Sequence, residues 1–298
     1  MSWRELYPFA SCSMQIGRQR LHYLDEGAGE TLLFVHGNPT WSFYWRNLIL
    51  GLRGEYRCVA VDHIGCGLSD KPQEYAYTLT QRIEDLCQVV AKLGLAEVTL
   101  VAHDWGGAIG LGAVQRLRER FRRMVLFNTG AFPPPFVPWR IAACRAPVLG
   151  TLAVRGLNAF PRAALTMAVE KQERMTPGVR AGLLAPYDSW QNRIAIDRFV
   201  QDIPFSRRHP TWQVLEGIEA ELARLADWPI QLIWGMRDWC FRPECLERLL
   251  RHWARAEVHR LADCGHYVVE DAHERIVPLM REFLSRTAAS KTAATPAT

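Results

Sequence analysis

Short apolar segments with strand character alternate with helix-like segments along most of this 298-residue chain. Residues 31–35, 58–61 and 98–101 are almost entirely apolar, which is typical of strands buried on both faces of a sheet. Further segments with strand character are 20–24, 124–127, 230–234 and 257–261. Because strands that alternate with helices form βαβ units, the pattern predicts an α/β chain with a mostly parallel, doubly wound sheet.

Three helices of this framework have recognisable signals in the sequence. Thr78 and Gln81 have the spacing of a capping box, and the amphipathic helix that they open is predicted to end near Gly94. Segments 243–253 and 272–285 are predicted to be the helices that follow the last two strands. Helices in these positions fit the two faces of a doubly wound sheet.

The alternation stops after residue 132. The segment that follows opens with a proline-rich run and continues with helical sequences, without a convincing buried strand. We therefore predict a core formed by residues 1–132 and 212–286, with an inserted helical cap over residues 133–211. The Ala-, Thr- and Ser-rich residues 287–298 are predicted to be a disordered tail.

Composition excludes several classes of protein. The chain is 49% hydrophobic and 22% charged with a net charge of +5, and only segment 116–123 concentrates arginines. We interpret that segment as a solvated helix end rather than a nucleic-acid site. The N-terminus has no apolar signal segment, and no apolar run is long enough to cross a bilayer. These features predict a cytoplasmic protein with reduced cysteines and no transmembrane segment, and they leave the oligomeric state open.

The most informative segment is 98–108, a buried strand followed by a tight turn and a helix. The small residues Ala102 and Gly106 flank Asp104, which is the arrangement of a nucleophile elbow with Asp in the nucleophile position. A carboxylate can displace a leaving group from an sp³ carbon and form an alkyl ester. The helix N-terminus behind it favours its ionised form. The alternative is that Asp104 only caps the following helix.

Two further acid–base residues follow predicted strands in the order that a catalytic triad of this type requires. Asp238 and His266 each come just after one of the last two strands. We predict that Asp238 orients the imidazole of His266, which then removes a proton from water. Asp263 and Asp271 are competing candidates for the acid, but both lie in the histidine loop and lack a place at a strand end.

A second group of candidate residues supplies hydrogen-bond donors. Asn38 follows strand 31–35, and Trp105 follows the predicted nucleophile. Their backbone N–H groups are predicted to form an oxyanion hole, and the Asn38 amide and Trp105 indole to hold a leaving anion. The alternatives are that Asn38 only stabilises the Asn-Pro turn and that Trp105 only packs in the core.

Three segments carry a resemblance to a known family: 36–42 (HGNPTWS), 62–72 (DHIGCGLSDKP) and 103–107 (HDWGG). Together with the strand pattern, they resemble the α/β-hydrolase fold over essentially the whole chain. More narrowly, they resemble haloalkane dehalogenases, and the combination of the late Asp238 with the Asn38–Trp105 pair resembles their third subfamily. The resemblance implies a mostly parallel eight-stranded sheet with helices on both faces and an inserted helical cap.

The resemblance also implies roles for individual residues. It implies that Asp104 is the nucleophile and that His266 is the base. It also implies that Asn38 and Trp105 together bind the halide. Some members carry the acid after the sixth strand, where this chain has Asn128, so Asp238 is the better candidate. The implied reaction is hydrolysis of a small apolar haloalkane to alcohol and halide ion through an alkyl-Asp ester. It uses no metal and no organic cofactor, and no nucleic acid takes part.

A second family shares this framework. The β-lactone decarboxylases of bacterial olefin biosynthesis, which turn a long-chain cis-β-lactone into a cis-alkene and CO₂, resemble this chain at 128–133 (NTGAFP), 186–190 (PYDSW), 201–204 (QDIP) and 266–271 (HYVVED). An Asp nucleophile opens a lactone at an sp³ carbon as readily as it displaces a halide. This reaction is therefore the main alternative to dehalogenation.

Other functions fit the sequence less well. Epoxide hydrolases protonate their substrate with paired cap tyrosines, whereas the cap of this chain has the single Tyr187. Fluoroacetate dehalogenases have Arg after the nucleophile, where this chain has Trp105. A hydrolase-like binding protein is the non-enzymatic alternative, although such proteins usually lack a catalytic residue. The cap is expected to form the substrate pocket, with walls that include Phe132, Trp139, Phe160 and Trp190.

Overall fold

The computed structural model describes residues 1–288. Its sheet contains strands β1 (Cys12–Ile16), β2 (Gln19–Glu26), β3 (Thr31–Val35), β4 (Arg57–Val61), β5 (Val98–Asp104), β6 (Phe121–Thr129), β7 (Ile230–Gly235) and β8 (Glu257–Leu261). The strands lie in the order β1-β2-β4-β3-β5-β6-β7-β8. Only the β1–β2 and β2–β4 pairs are antiparallel, and the others are parallel. The predicted mostly parallel α/β sheet is confirmed.

The α-helices of residues 1–288 follow strands β3 to β8 along the chain. They are α1 (Arg46–Leu52), α2 (Leu79–Lys92), α3 (Trp105–Arg116), α4 (Trp139–Ala143), α5 (Leu149–Thr151), α6 (Ala159–Met167), α7 (Pro177–Leu184), α8 (Ile194–Gln201), α9 (Pro210–Glu221), α10 (Pro243–His252) and α11 (Val268–Arg286). A π-helical turn, Leu152–Gly156, joins α5 to the segment before α6. Thr78 caps α2 by accepting the Gln81 N–H at 3.3 Å.

Alternating side chains of the buried strands build two hydrophobic cores, one on each face of the sheet. In β3, Leu33 and Val35 pack with the buried residues of α2, α3, α9 and α10. Leu32 and Phe34 of the same strand pack with those of α1 and α11. This period of two is the expected consequence of strand geometry, and it holds the carboxyl ends of the central strands in fixed positions.

We refer to residues 133–211, which connect β6 towards β7, as the cap segment. It contains α4–α8 and adds no strand to the described sheet. The Trp41 indole donates to the carbonyl of Gly182 at 2.9 Å, and the Tyr267 N–H donates to the carbonyl of Ala168 at 2.6 Å. The cap segment is therefore bonded to loops that follow β3 and β8.

Several sequence predictions need correction. The hydrophobic pattern does not reveal β1, because this edge strand has alternating half-buried and exposed residues. Helix α11 begins at Val268 rather than at Ala272, whose φ of −148° interrupts the helical conformation. Segment 116–123 is not wholly solvated, since Arg123 is buried and paired with Glu30.

Two further findings concern the ends and the surface of the chain. Of the predicted disordered tail, 287–298, residues 289–298 lie outside the described part of the chain. No helix within residues 1–288 combines the length and the apolar composition that are needed to cross a membrane.

Candidate active site

Asp104 lies at the sharp turn between β5 and α3. Its φ of 54° is in the left-handed region, a strained conformation for a non-glycine residue that is concentrated at functional sites. A side chain at Gly37 would collide with the Asp104 carboxylate, and one at Gly106 would collide with the carbonyl oxygen of Val35. These glycines therefore make room for a carboxylate between β3 and the start of α3.

Two backbone donors face the Asp104 carboxylate. The Asn38 N–H donates to Oδ1 at 2.6 Å, and the N–H of Trp105 acts on the pKa of the carboxylate in the same direction as that hydrogen bond. Burial raises the pKa of Asp104 above its usual value, whereas His266 and these two donors act against the rise. These donors and the α3 dipole favour the ionised carboxylate. Their role as an oxyanion hole stays a prediction.

His266 lies between the two carboxylates of the predicted triad. Its Nε2 is 3.7 Å from Asp104 Oδ2, and its Nδ1 is 2.8 Å from Asp238 Oδ2. The other oxygen of Asp238 accepts the N–H groups of Cys240 at 2.6 Å and Phe241 at 3.0 Å. Burial lowers the pKa of His266, but the charge and hydrogen bond of Asp238, together with the charge of Asp104, raise it overall. The imidazole is thus oriented with Nε2 towards Asp104.

The alternative acids are bound elsewhere. Asp263 is at the surface and forms an ion pair with Lys171 at 2.8 Å. Asp271 accepts three backbone N–H groups of neighbouring loops, including that of Gly265 at 2.7 Å. Asn128, at the end of β6, donates to the carbonyl of Gly235 at 2.9 Å and accepts its N–H at 2.8 Å. Of the carboxylates weighed as the triad acid, Asp238 is the one that hydrogen-bonds the His266 ring.

The Asn38 amide and the Trp105 indole border the same cavity as Asp104. Asn38 Nδ2 donates to the carbonyl of Ile196 in α8 at 3.3 Å, which leaves one of its two amide hydrogens for a ligand. The Trp105 ring packs against Phe199 of α8 with a centroid distance of 5.7 Å. Asn38 and Trp105, the two predicted donors, therefore both contact α8 of the cap segment.

A cavity of about 270 Å³ extends from these residues between the sheet and the cap segment. Its walls are almost entirely apolar away from the triad. Phe132 and Phe160 line it, as predicted, and further walls come from Ile141, Ala164, Met167, Val200, Ile203, Leu215 and Trp239. The cavity therefore presents a carboxylate and an imidazole to an apolar molecule.

The prediction that Trp139 and Trp190 line this cavity is wrong. The side chain of Trp139 is 74% exposed and borders only a separate, outer depression beside Trp239. Trp190 is partly exposed and packs against the guanidinium of Arg155, which lies 4.5 Å from its ring centroid. A sequence shows that an aromatic residue belongs to the cap, but not which side of a short helix faces the core.

Sequence analysis missed several residues around the triad. Phe241 stacks on the ring of His266 with a centroid distance of 5.8 Å, a contact between two loops that the sequence does not signal. Arg82 is fully buried without a hydrogen-bond partner for its guanidinium, which lies 3.5 Å from the centroid of Phe199. Nothing in the sequence reveals this position, because it depends on how α2 packs against α8.

The cysteines next to the cavity are apolar walls rather than reactive groups. Cys144, Cys240 and Cys245 line it as free thiols. Burial raises the pKa of Cys245 to about 12, and it also raises the pKa of Cys240 well above its usual value. Within residues 1–288, no group of three or more His, Cys, Asp or Glu side chains is arranged to hold a metal ion.

Comparison with known proteins identifies the family. A model of the α/β-hydrolase fold matches residues 30–146. A cis-3-alkyl-4-alkyloxetan-2-one decarboxylase of Shewanella oneidensis is 43% identical over 98% of this chain and 93% of its own length. This chain belongs to the α/β-hydrolase family.

Other members relate this hydrolase to the dehalogenases. Haloalkane dehalogenase 2 of Mycobacterium bovis is 32% identical to it over 93% of this chain and 96% of that protein. The crystal structure of the haloalkane dehalogenase DatA from Agrobacterium tumefaciens superposes with a TM-score of 0.84 at 26% identity, and covers 93% of this chain and 96% of that one. The hydrolase is thus similar over its whole length to proteins of both named activities.

Proposed function

We propose that the protein decarboxylates cis-3,4-dialkyl-oxetan-2-ones, which are β-lactones, to cis-alkenes. The observation that carries the choice is the 43% identity with a named decarboxylase across nearly the whole chain, against 32% with a named dehalogenase. This reverses the order of the two reactions that the sequence motifs favoured. The apolar walls of the cavity support the proposal, because a dialkyl lactone has two hydrocarbon chains to bury beside its small polar ring.

The proposed reaction begins with attack on the ring. Asp104 Oδ2 attacks the sp³ carbon C4 from the side opposite the ring oxygen, and the C4–O bond breaks as the new ester bond forms. The electron pair of the broken bond stays on the released carboxylate of the substrate. Asn38 and Trp105 would donate hydrogen bonds to this carboxylate, and His266 in its protonated form would add a third from Nε2.

The second step returns the enzyme to its starting state. The C3–carboxylate bond breaks and its electron pair forms the C3=C4 double bond, so that CO₂ leaves. The ester bond at C4 breaks at the same time, and its electron pair returns to Asp104. No water and no net proton are consumed. Inversion at C4 followed by anti elimination is equivalent to syn loss of CO₂, so a cis-lactone gives a cis-alkene.

Dehalogenation is the second candidate, and the pair formed by Asn38 and Trp105 favours it. In that reaction the pair would hold the departing halide, and the alkyl ester on Asp104 would then need hydrolysis. His266 would have to be neutral to deprotonate the attacking water, with Asp238 stabilising the imidazolium that forms. The two reactions therefore share the first step and differ in how Asp104 is released.

Two other functions have less support. Tyr187, the single tyrosine of the cap segment, is buried and donates to the carbonyl of Thr40 at 3.2 Å, so it is not directed at Asp104 as an epoxide-protonating group. A non-catalytic binding role would not explain why Asp104, His266 and Asp238 lie together. It would also not explain why both oxygens of the Asp238 carboxylate are hydrogen-bonded.

The test is a comparison of substrates with purified protein. We expect a cis-3,4-dialkyl-oxetan-2-one to give a cis-alkene with a kcat/KM at least about 100-fold above that for release of halide from 1-iodobutane or 1,2-dibromoethane. Gas chromatography measures the alkene, and ion chromatography measures the halide. Halide release without alkene would contradict the proposal in favour of dehalogenation, and neither product would contradict both.

A further inference from the structure

Exposed apolar side chains are concentrated in the cap segment. Nine large hydrophobic side chains are exposed in the described residues, and seven of these lie between residues 139 and 205. Val148, Leu149 and Leu157 are each more than 70% exposed. Exposed apolar side chains that are concentrated in one segment usually mark a contact surface. We define the apolar cap surface as Val148, Leu149, Leu152, Leu157, Trp190 and Phe205.

Contacts connect these residues into one region of the cap. Arg145 lies with its guanidinium 4.3 Å from the ring centroid of Phe205, and it precedes Val148 by three residues. At the other end, Trp190 contacts the guanidinium of Arg155 next to Leu157. Helix α5 and the π-helical turn, which carry Leu149 and Leu152, run between the two ends. The exposed side chains are thus concentrated in α5, the π-helical turn and the cap residues that contact their flanking arginines.

Arginine is the charged residue type of the first half of the cap segment. Residues 133–169 contain four arginines, at positions 140, 145, 155 and 162, and no aspartate, glutamate or lysine, whereas Asp188 lies two residues before Trp190. Arg140 and Arg162 form no ion pair and no side-chain hydrogen bond with the described residues, whereas arginines of the core are commonly paired with carboxylates. Arginine interleaved with exposed leucine and tryptophan is the composition of protein surfaces that lie in the interface of an anionic bilayer.

The same segment supplies walls of the cavity. Phe136, Pro138, Arg140 and Ile141 line it, and Trp139 is exposed beside them. The exposed apolar residues and these cavity walls therefore belong to one part of the chain.

We propose that the apolar cap surface binds the headgroup–acyl boundary of an anionic phospholipid membrane and takes up its apolar substrate from there. Leucines and Trp190 insert below the headgroups, while Arg140 and Arg162 contact lipid phosphates. The identity of the cargo rests on the proposed function, but membrane binding itself does not.

The test is flotation of the full-length protein with lipid vesicles. We expect binding to vesicles of phosphatidylcholine with phosphatidylglycerol, and much weaker binding to phosphatidylcholine alone. The double substitution Leu149→Glu with Leu157→Glu should weaken binding at least about tenfold, because it places two anions on the apolar cap surface. Leu50→Glu is the matched control, because Leu50 is 41% exposed but lies on α1, outside the cap segment. This substitution should leave vesicle binding unchanged.

A substitution that removes one positive charge separates the electrostatic contribution to vesicle binding from the apolar one. Arg162→Gln should weaken binding to anionic vesicles about fivefold and have no effect with neutral ones, whereas Arg18→Gln, at an exposed site of the core, should change neither. Wild-type protein that does not bind anionic vesicles overturns the proposal. So does a result in which the double variant only converts a dimer to a monomer, as measured by light scattering, because a second copy then covers this surface.

The two proposals fail separately. Vesicle binding is measured with the Asp104→Asn variant as well as the wild type, and it should be equal in both. Binding without conversion of the lactone removes the proposed function alone, while alkene formation by a protein that does not bind vesicles removes the membrane proposal alone.

Discussion

The two walls of the cavity are built on different principles. On the core side, Asp104, Asp238 and His266 are buried, hydrogen-bonded and held at the ends of parallel strands. On the cap side, short helices present apolar side chains and Arg140 to the cavity, with few polar contacts. If the core side carries out the proposed chemistry, the choice of substrate is expected to lie with the cap segment.

Removing the nucleophile should have the largest effect, and it should be the same for every substrate. Asp104→Asn keeps the shape of the side chain and tolerates the positive φ, but its amide is a far weaker nucleophile. We expect turnover of lactone and haloalkane to fall about 10⁴-fold or more. Circular dichroism checks that the variant folds, and substantial remaining activity on either substrate would show that another group attacks.

Replacing the base should separate the two reactions. In His266→Gln, hydrolysis of an alkyl ester lacks its base, so a haloalkane should convert the enzyme to a stable alkyl-Asp104 ester that intact mass spectrometry detects. Elimination from the lactone needs no water, so alkene formation should continue at about a tenth of the wild-type rate. Equal loss with both substrates, together with an ester that accumulates from the lactone, would contradict elimination.

The pH dependence should show the same division. Since Asp238 and Asp104 raise the pKa of His266, dehalogenation should decline as the pH falls through a value above that of an ordinary imidazole, because water activation needs the neutral ring. Decarboxylation needs ionised Asp104 and is assisted by the protonated form of His266, so it should persist to lower pH. Asp238→Asn removes the main raising influence, so the acid limb of dehalogenation should move down while its maximum rate drops about 100-fold.

A change on the cap side should have the smallest effect and alter selectivity rather than chemistry. Phe160→Ala widens the cavity and should shift kcat/KM about tenfold towards longer alkyl chains. Trp190→Ala is the matched control, because this cap aromatic does not line the cavity and should leave the chain-length profile unchanged. A uniform loss with all chain lengths in Phe160→Ala would remove the distinction between the two walls.

The same contrast explains what the sequence allowed us to predict. Seven strands and the order of Asp104, Asp238 and His266 were predictable, because buried strands have a distinct composition and strand ends meet at one edge of a parallel sheet. The positions of Trp139 and Trp190 were not, since the side of a short cap element that faces the core is set by tertiary packing and not by local sequence. Arg82 and Phe199 escaped notice because their contact joins α2 to α8, distant in sequence.

The most direct test of the proposed reaction follows oxygen through one turnover. Excess enzyme is mixed with a cis-3,4-dialkyl-oxetan-2-one in ¹⁸O-labelled water, and the Asp104 peptide is analysed by mass spectrometry. Elimination predicts one cis-alkene per lactone and an unlabelled Asp104, because the ester releases the same carboxylate oxygens that formed it. A β-hydroxy acid together with ¹⁸O in Asp104 would show that water hydrolyses the ester, and would contradict decarboxylation at this site.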